Sequence, residues 1–249
     1  MRLFIKNHLN TIIVCLSVII CVTIFSVSII TLKTAQNDYI VVTGSATKSF
    51  VSDLIVWRGS FSKKAANSKD AFAKLRNDTA AVKNYLIKNG VNEQYIVFSS
   101  VDLNENYEHE YNQDGRITKT IFTGYTLTQR VTIESAEVDK IEKISRDITE
   151  LIDLGVEFFS MPPEYYYTKL DELKLDLIAK SAENTRMRAE TIVKESGAKI
   201  AKLRSANLGV FQITPENSST DGYSSGGTYD VSSKNKTAFI TTRLEYLIK

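Results

Sequence analysis

The chain has 249 residues, with 31 Lys and Arg against 29 Asp and Glu, a formal net charge of +2. That balance excludes the basic footprint of a nucleic-acid-binding protein. Two cysteines, Cys15 and Cys21, and two histidines, His8 and His109, leave little material for disulfide, zinc or Cys–His chemistry.

The first element is an apolar run, HLNTIIVCLSVIICVTIFSVSIITLK, from His8 to Lys33. Its uncharged part, residues 11–32, is roughly 33 Å long as a helix, enough for a bilayer core. A secretory signal has a shorter apolar region and a small-x-small cleavage site. Here the exit reads SIITLKTAQND, and Lys33 stands where a small residue should precede Ala35. Bulky Ile19 and Ile20 before Cys21, and Ile13 and Val14 before Cys15, argue against lipid attachment. The run is therefore expected to be an uncleaved transmembrane anchor. Arg2 and Lys6 precede it and Lys33 follows it, which places the amino terminus in the cytoplasm. Residues 1–33 then form a cytoplasmic tip and anchor, and residues 34–249 a periplasmic or extracellular domain. Both cysteines lie in the anchor, so that domain must be held by its core alone, without disulfides.

The domain is expected to be α+β. Asp38–Ala65 reads as two strands. SKDAFAKLRNDTAAVKNYLIKNG follows as a helix with Ala71, Leu75, Val82 and Leu86 on one face and Gly90 at its end. The stretch from Val91 to Ser135 reads as two long strands joined near Asn112–Gly115, with Asp114-Gly115 as the turn. A helix with the stripe Val138, Ile141, Ile144, Ile148 and Leu151 comes next, closed by Gly155. VEFFSMPPEYYY is a short strand ended by Pro162 and Pro163. A long helix of about 28 residues runs to Gly197, with Leu175, Ile178, Ala182, Thr185, Ala189 and Ile192 as its predicted seam. Small Ala182, Thr185 and Ala189 suggest a close neighbour. AKLRSANLGVFQI and TAFITTRLEYLI are the last two strands. The Ser/Gly/Asn-rich excursion 214–236 between them is expected to be a flexible loop. The order ββα, ββα, βα, ββ gives a largely antiparallel sheet with packed helices.

No catalytic constellation is apparent. His109, at a strand end, has no nearby partner of the kind a nucleophile–base pair needs. Asp102, Asn104, Asn106, Glu108 and Glu110 alternate, but a calcium loop needs Gly at its sixth position and Glu at its twelfth. Counted from Asp102, those positions hold Tyr107 and Gln113. The five residues read instead as the wet face of a strand whose other face holds Val101, Leu103, Glu105, Tyr107 and His109. Lone Gly44 in VTGSAT reads as a bulge or a close backbone approach. Tyr165, Tyr166 and Tyr167 read mainly as junction packing, with a peptide or glycan platform as the alternative. No catalytic, cofactor-binding or metal-ligating residue is assigned, and no cofactor is expected.

Taken in order, the motifs resemble the SIMPL-domain family, which includes periplasmic immunogenic and oxidative-stress-defence proteins of Gram-negative bacteria. The family's V-x-G-x-G opening and Pro-Asp pair correspond to VVTGSATKSFVSDLIVW. Gly44 and Asp53 are kept there, while Ala46 replaces a glycine and Ser52 a proline. GVNEQYIVFSS keeps Gly90 and Ile96, with Tyr95 in place of an acid, and GYTLTQRVTI keeps Gly124, Tyr125 and Val131. AENTRMRAETIVKESGAKIAKL keeps Ala182, Arg188, Ala189, Glu190 and Gly197, with Ala201 for the last glycine. The resemblance implies a non-enzymatic envelope protein linked to stress tolerance, in a family where some members form ring-like or channel-like oligomers. A homo-oligomer is therefore expected.

Overall fold

The computed structural model describes residues 2–34, 38–218 and 224–249; within the first helix it describes the side chains of 13–29. The chain is α+β, with four α-helices and two sheets among the described residues. Helix α1 spans Arg2–Thr34. The ends of the expected membrane span, 11–32, and the Lys33–Gln36 exit lie outside the residues whose side chains are described. Among the described residues no helix is long and apolar enough to cross a membrane. Residues 13–29 supply roughly 26 Å of helix, against a bilayer core of about 30 Å.

The chain divides into two compact units. One comprises 1–45, 179–209 and 241–249, the other 46–178 and 210–240.

The second unit contains a six-stranded antiparallel sheet. Its centre is β2 (Leu54–Ala65) against β5 (Ile117–Ser135), paired from Ile55↔Ser135 to Ala65↔Tyr125. β3 (Ile96–Phe98) and β4 (Asp102–Tyr111) lie along the other edge of β5. β6 (Phe158–Ser160) and β7 (Glu164–Tyr166) lie along the other edge of β2. The sequence predicts one short strand in that last region. The structure has two, because Pro162 and Pro163 cannot donate to the ladder and interrupt it between them.

Helix α2 (Ser68–Lys88) is capped by Asn67, whose side chain accepts from the Asp70 N–H. It buries the expected Ala71, Leu75, Val82 and Leu86 together with Asp78. The Asp78 Oδ2 lies 3.1 Å from Lys63 Nζ but outside hydrogen-bond geometry, so that contact is electrostatic. Helix α3 (Val138–Asp147) continues as a 3-10 helix to Leu154, and all five stripe residues are buried. These faces meet the sheet around Trp57, Phe61, Val131 and Ile133 in one core.

The second sheet consists of β1 (Tyr39–Val51), β8 (Ile200–Leu208), β9 (Gln212–Pro215), β10 (Thr228–Tyr229) and β11 (Asn235–Ile248). β11 pairs antiparallel with β9 along Lys236–Phe239 and with β8 along Thr242–Ile248. β10 runs parallel to β9, an exception in a mainly antiparallel fold.

Helix α4 (Leu170–Glu195) corrects the predicted seam. The buried stripe is Leu173, Leu177, Ser181, Thr185, Ala189 and Val193, whereas Leu175 is 69% and Ile192 54% exposed. Thr185 and Ala189 lie on this face as predicted, but counting apolar residues passed over Ser181, which with Thr185 makes the middle of the stripe polar. Their hydroxyls are satisfied locally: Ser181 Oγ donates to Thr242 Oγ1 at 2.7 Å, and Thr185 Oγ1 lies 2.7 Å from Ser181 O and 3.2 Å from Thr242 O. Gly44 is a close-approach position as expected. A Cβ there would stand 2.8 Å from Thr185 Cα and 2.7 Å from its nitrogen.

The excursion 214–236, expected as a flexible loop, carries the end of β9, all of β10 and the start of β11 among its described residues. Residues 219–223 lie outside the described residues, but the parts on either side are held by polar contacts. Gln212 Nε2 donates to Ser224 O at 2.7 Å, and the Asp230 carboxylate accepts from Ser232 and Ser233. Lys236, 1% exposed, donates to Tyr165 O and Asp230 O, each at 2.6 Å. A composition rich in Ser and Gly counts against apolar burial, but it does not register this kind of ordering.

Candidate interaction surface

β4 and β5 form a long hairpin closed at Asn112–Gly115, where Asn112 Oδ1 accepts from the Asp114 and Arg116 N–H groups. Among the described residues, β4 has no strand partner besides β5, and Ile117–Gly124 of β5 pair with β4 alone. The outer half is therefore a two-stranded ribbon.

Its two faces differ as strand alternation requires. On the polar face Asp102 pairs with Arg130 at 3.2 Å and Asn106 Nδ2 donates to Thr126 Oγ1 at 2.8 Å. Glu110 lies 3.4 Å from Lys119. These are the residues whose alternation resembled a calcium loop. Three of the five, Asp102, Asn106 and Glu110, meet cross-strand partners, and among the described residues no three His, Cys, Asp or Glu side chains are grouped to hold a metal.

The other face is aromatic. A register shift between Asn106 and Tyr107 sets Tyr107 opposite Phe122. Their rings lie 5.6 Å apart, and Phe122 meets Tyr125 at 5.2 Å. Tyr107 is 49%, Phe122 45%, Ile117 54% and Tyr111 62% exposed. The Tyr107 hydroxyl donates to Glu105 at 2.5 Å, which raises the phenol above its ordinary value. His109 lies on this face, exposed, with Nδ1 3.0 Å from Thr120 Oγ1 and its ring 6.4 Å from Tyr111.

At the base of the ribbon Gly124 has φ of +121°, and a Cβ there would stand 2.3 Å from Ala65 O. Only glycine lets β5 pass so close to the end of β2. Sequence reading found the wet face of β4 but missed that its aromatic face is also left uncovered. The available signal was the placement of Tyr107, Phe122 and Tyr125 at cross-strand positions.

The tyrosine run does not make one platform. Tyr165 is buried in the core of the six-stranded sheet, while Tyr167 packs on Phe50 with centroids 4.8 Å apart. The Tyr166 hydroxyl donates to Glu164, which also pairs with Arg58 at 2.9 Å. Those two contacts, Arg58 first, hold the Glu164 carboxyl below its ordinary value. Asp53 has a structural task at the next junction. Its carboxylate accepts from the Thr168 N–H and from Thr168 Oγ1, both at 2.7 Å, just before α4. Ala189 is fully buried against Val42, Leu244 and Tyr246, so the small residue finds its neighbour inside the fold.

What this geometry defines is an α+β domain with an exposed aromatic ribbon and carboxylates engaged in pairing. The chain belongs to the SIMPL family, whose model is described as a protein of unknown function (DUF541) and matches residues 40–239. No curated protein matches the sequence.

Proposed function

We propose that this SIMPL chain is a membrane-anchored, extracytoplasmic protein of the cell envelope that associates with copies of itself and catalyses no reaction, serving envelope integrity or stress tolerance. The observation that supports association is the aromatic face of the β4–β5 ribbon. An isolated two-stranded hairpin is marginal in water, and a face of this kind is what central interface residues are made of. The small residues of α4 give no support, since Ala189 is already covered. Support for the anchor comes from the sequence, through the uncharged run 11–32 and the poor cleavage site after it.

Light scattering on the full chain in detergent tests association. The wild type is expected to be oligomeric. Tyr107→Ser with Phe122→Ser should weaken assembly, by about 30-fold in Kd for each anchoring ring, while the circular dichroism spectrum is kept. A wild-type chain that stays monomeric at its highest soluble concentration removes this reading. The anchor has its own check. Intact-mass measurement of the membrane-extracted protein should find residues before Lys33, and a mature chain starting near Gln36 would refute retention.

A further inference from the structure

In the unit formed by 1–45, 179–209 and 241–249, β1 has one open edge. Among the described residues it pairs with β11 alone. Asp38 O accepts from the Ile248 N–H, which fixes the side of the chain that faces β11. By alternation the backbone groups of residues 40, 42 and 44 face β11, and those of Val41, Thr43 and Ser45 face outward. Two side chains of α4 confirm this direction: Asn184 Oδ1 accepts from the Ser45 N–H at 3.4 Å, and Arg188 donates to Thr43 O at 3.3 Å.

A groove of about 620 Å³ runs between this edge and α4, lined by Val41, Thr43, Asn184, Met187, Arg188 and Ile192 among others. Met187 and Ile192 are about half exposed and give it an apolar wall. Arg188 is the one charged side chain among the lining residues, no carboxylate lines the groove, and Arg188 has no ion-pair partner among the described residues. Its guanidinium has five N–H donors and spends one on Thr43 O.

We infer that this groove binds the free carboxyl terminus of an extended peptide from another protein, by strand addition to β1. Main-chain bonds to the outward groups of Val41 and to the Thr43 N–H supply affinity, and the apolar wall receives alternate side chains. The open edge ends at Ser45, because Asn184 already occupies its N–H. An added strand therefore stops beside Arg188, where its terminal carboxylate meets an unpaired cation in the fork geometry suited to it. The strand runs parallel to β1. This site is separate from the β4–β5 ribbon and does not depend on association through it.

The test uses the full chain in detergent and a fluorescein-labelled peptide, Gly-Thr-Val-Thr-Val-Thr-Val, with either a free carboxylate or a carboxamide end. Fluorescence anisotropy should show the carboxylate form binding about tenfold or more tightly than the carboxamide. Arg188→Gln should remove that difference. A carboxylate peptide N-methylated on alternate amides, in both registers, should lose binding to the unaltered protein. Equal affinity of the two end forms, or insensitivity to Arg188→Gln, overturns the carboxylate site. Undiminished binding of both N-methylated peptides overturns strand addition, and no binding by any peptide overturns the whole inference. Hydrogen-exchange protection of Val41 and Thr43 that grows with protein concentration alone would assign the edge to a second copy and also overturn it.

Discussion

Ala189→Arg is expected to destabilise the protein by about 3 kcal/mol or more, because it overpacks a filled site and buries a charge with no partner. Ala189 is completely buried, with Val42, Leu244 and Tyr246 around it. For a chain of this size such a loss lowers the melting midpoint by roughly 10 °C. The same change at Leu175, 69% exposed on the same helix, should stay within about 0.5 kcal/mol. Thermal melts followed by circular dichroism compare the two variants directly. The predicted seam, which contained both residues, would have them behave alike. A melt of the Ala189→Arg variant that matches wild type would show the packing of α4 to be wrong.

The second large effect is at Lys236. Its ammonium reaches two carbonyl oxygens, Tyr165 O and Asp230 O, and ties the returning end of the excursion to β7. Lys236→Met leaves two acceptors without their donor, at about 1–3 kcal/mol each. We expect a net loss of about 3 kcal/mol, since methionine recovers part of the packing. The pH dependence separates this from simple truncation. Burial lowers the Lys236 pKa below its ordinary 10.5, with Asp230 opposing the shift. The folded state therefore releases this proton at a lower pH than the unfolded state does. Between the folded value and 10.5 the unfolded chain binds more protons, and this group's contribution to stability rises with pH. Chemical denaturation across that alkaline range should show the contribution in wild type and its loss in Lys236→Met. Identical pH profiles would refute the buried ammonium.

Much of the architecture was legible because its signals are local and periodic. The stripe Val138, Ile141, Ile144, Ile148 and Leu151 is buried throughout, although its second half is 3-10 rather than α. Gly90, Gly155 and Gly197, read as helix stops, all have positive φ. What failed was polar. Asp78 and Ser181 occupy buried helix positions that hydrophobic counting skips, and the described parts of the excursion are tied down by Gln212, Asp230 and Lys236. Pairing beyond the hairpins was also out of reach, since nothing near Tyr39 announces a partner at the far end of the chain. The ribbon was half legible: alternation assigned its two faces, but whether another element covers the aromatic one is decided by the tertiary arrangement.

The pairing of β1 with β11 bears on how this chain is made. The Ile248 N–H bonds to Asp38 O, and the Lys199 and Lys249 backbones bond to each other. Synthesis reaches β1 long before β11, so β1 must wait for all the segments between them before its ladder can close. The β2–β5 pair can form much sooner, because Ser135 follows Ile55 by a shorter stretch of chain. Contacts so distant in sequence slow folding, and during the delay an apolar strand lies open to wrong partners. A chain truncated before Thr241 would keep the segments that build the six-stranded sheet and lose the part of β11 that carries Ile248. Such a fragment is a natural target for proteases and chaperones.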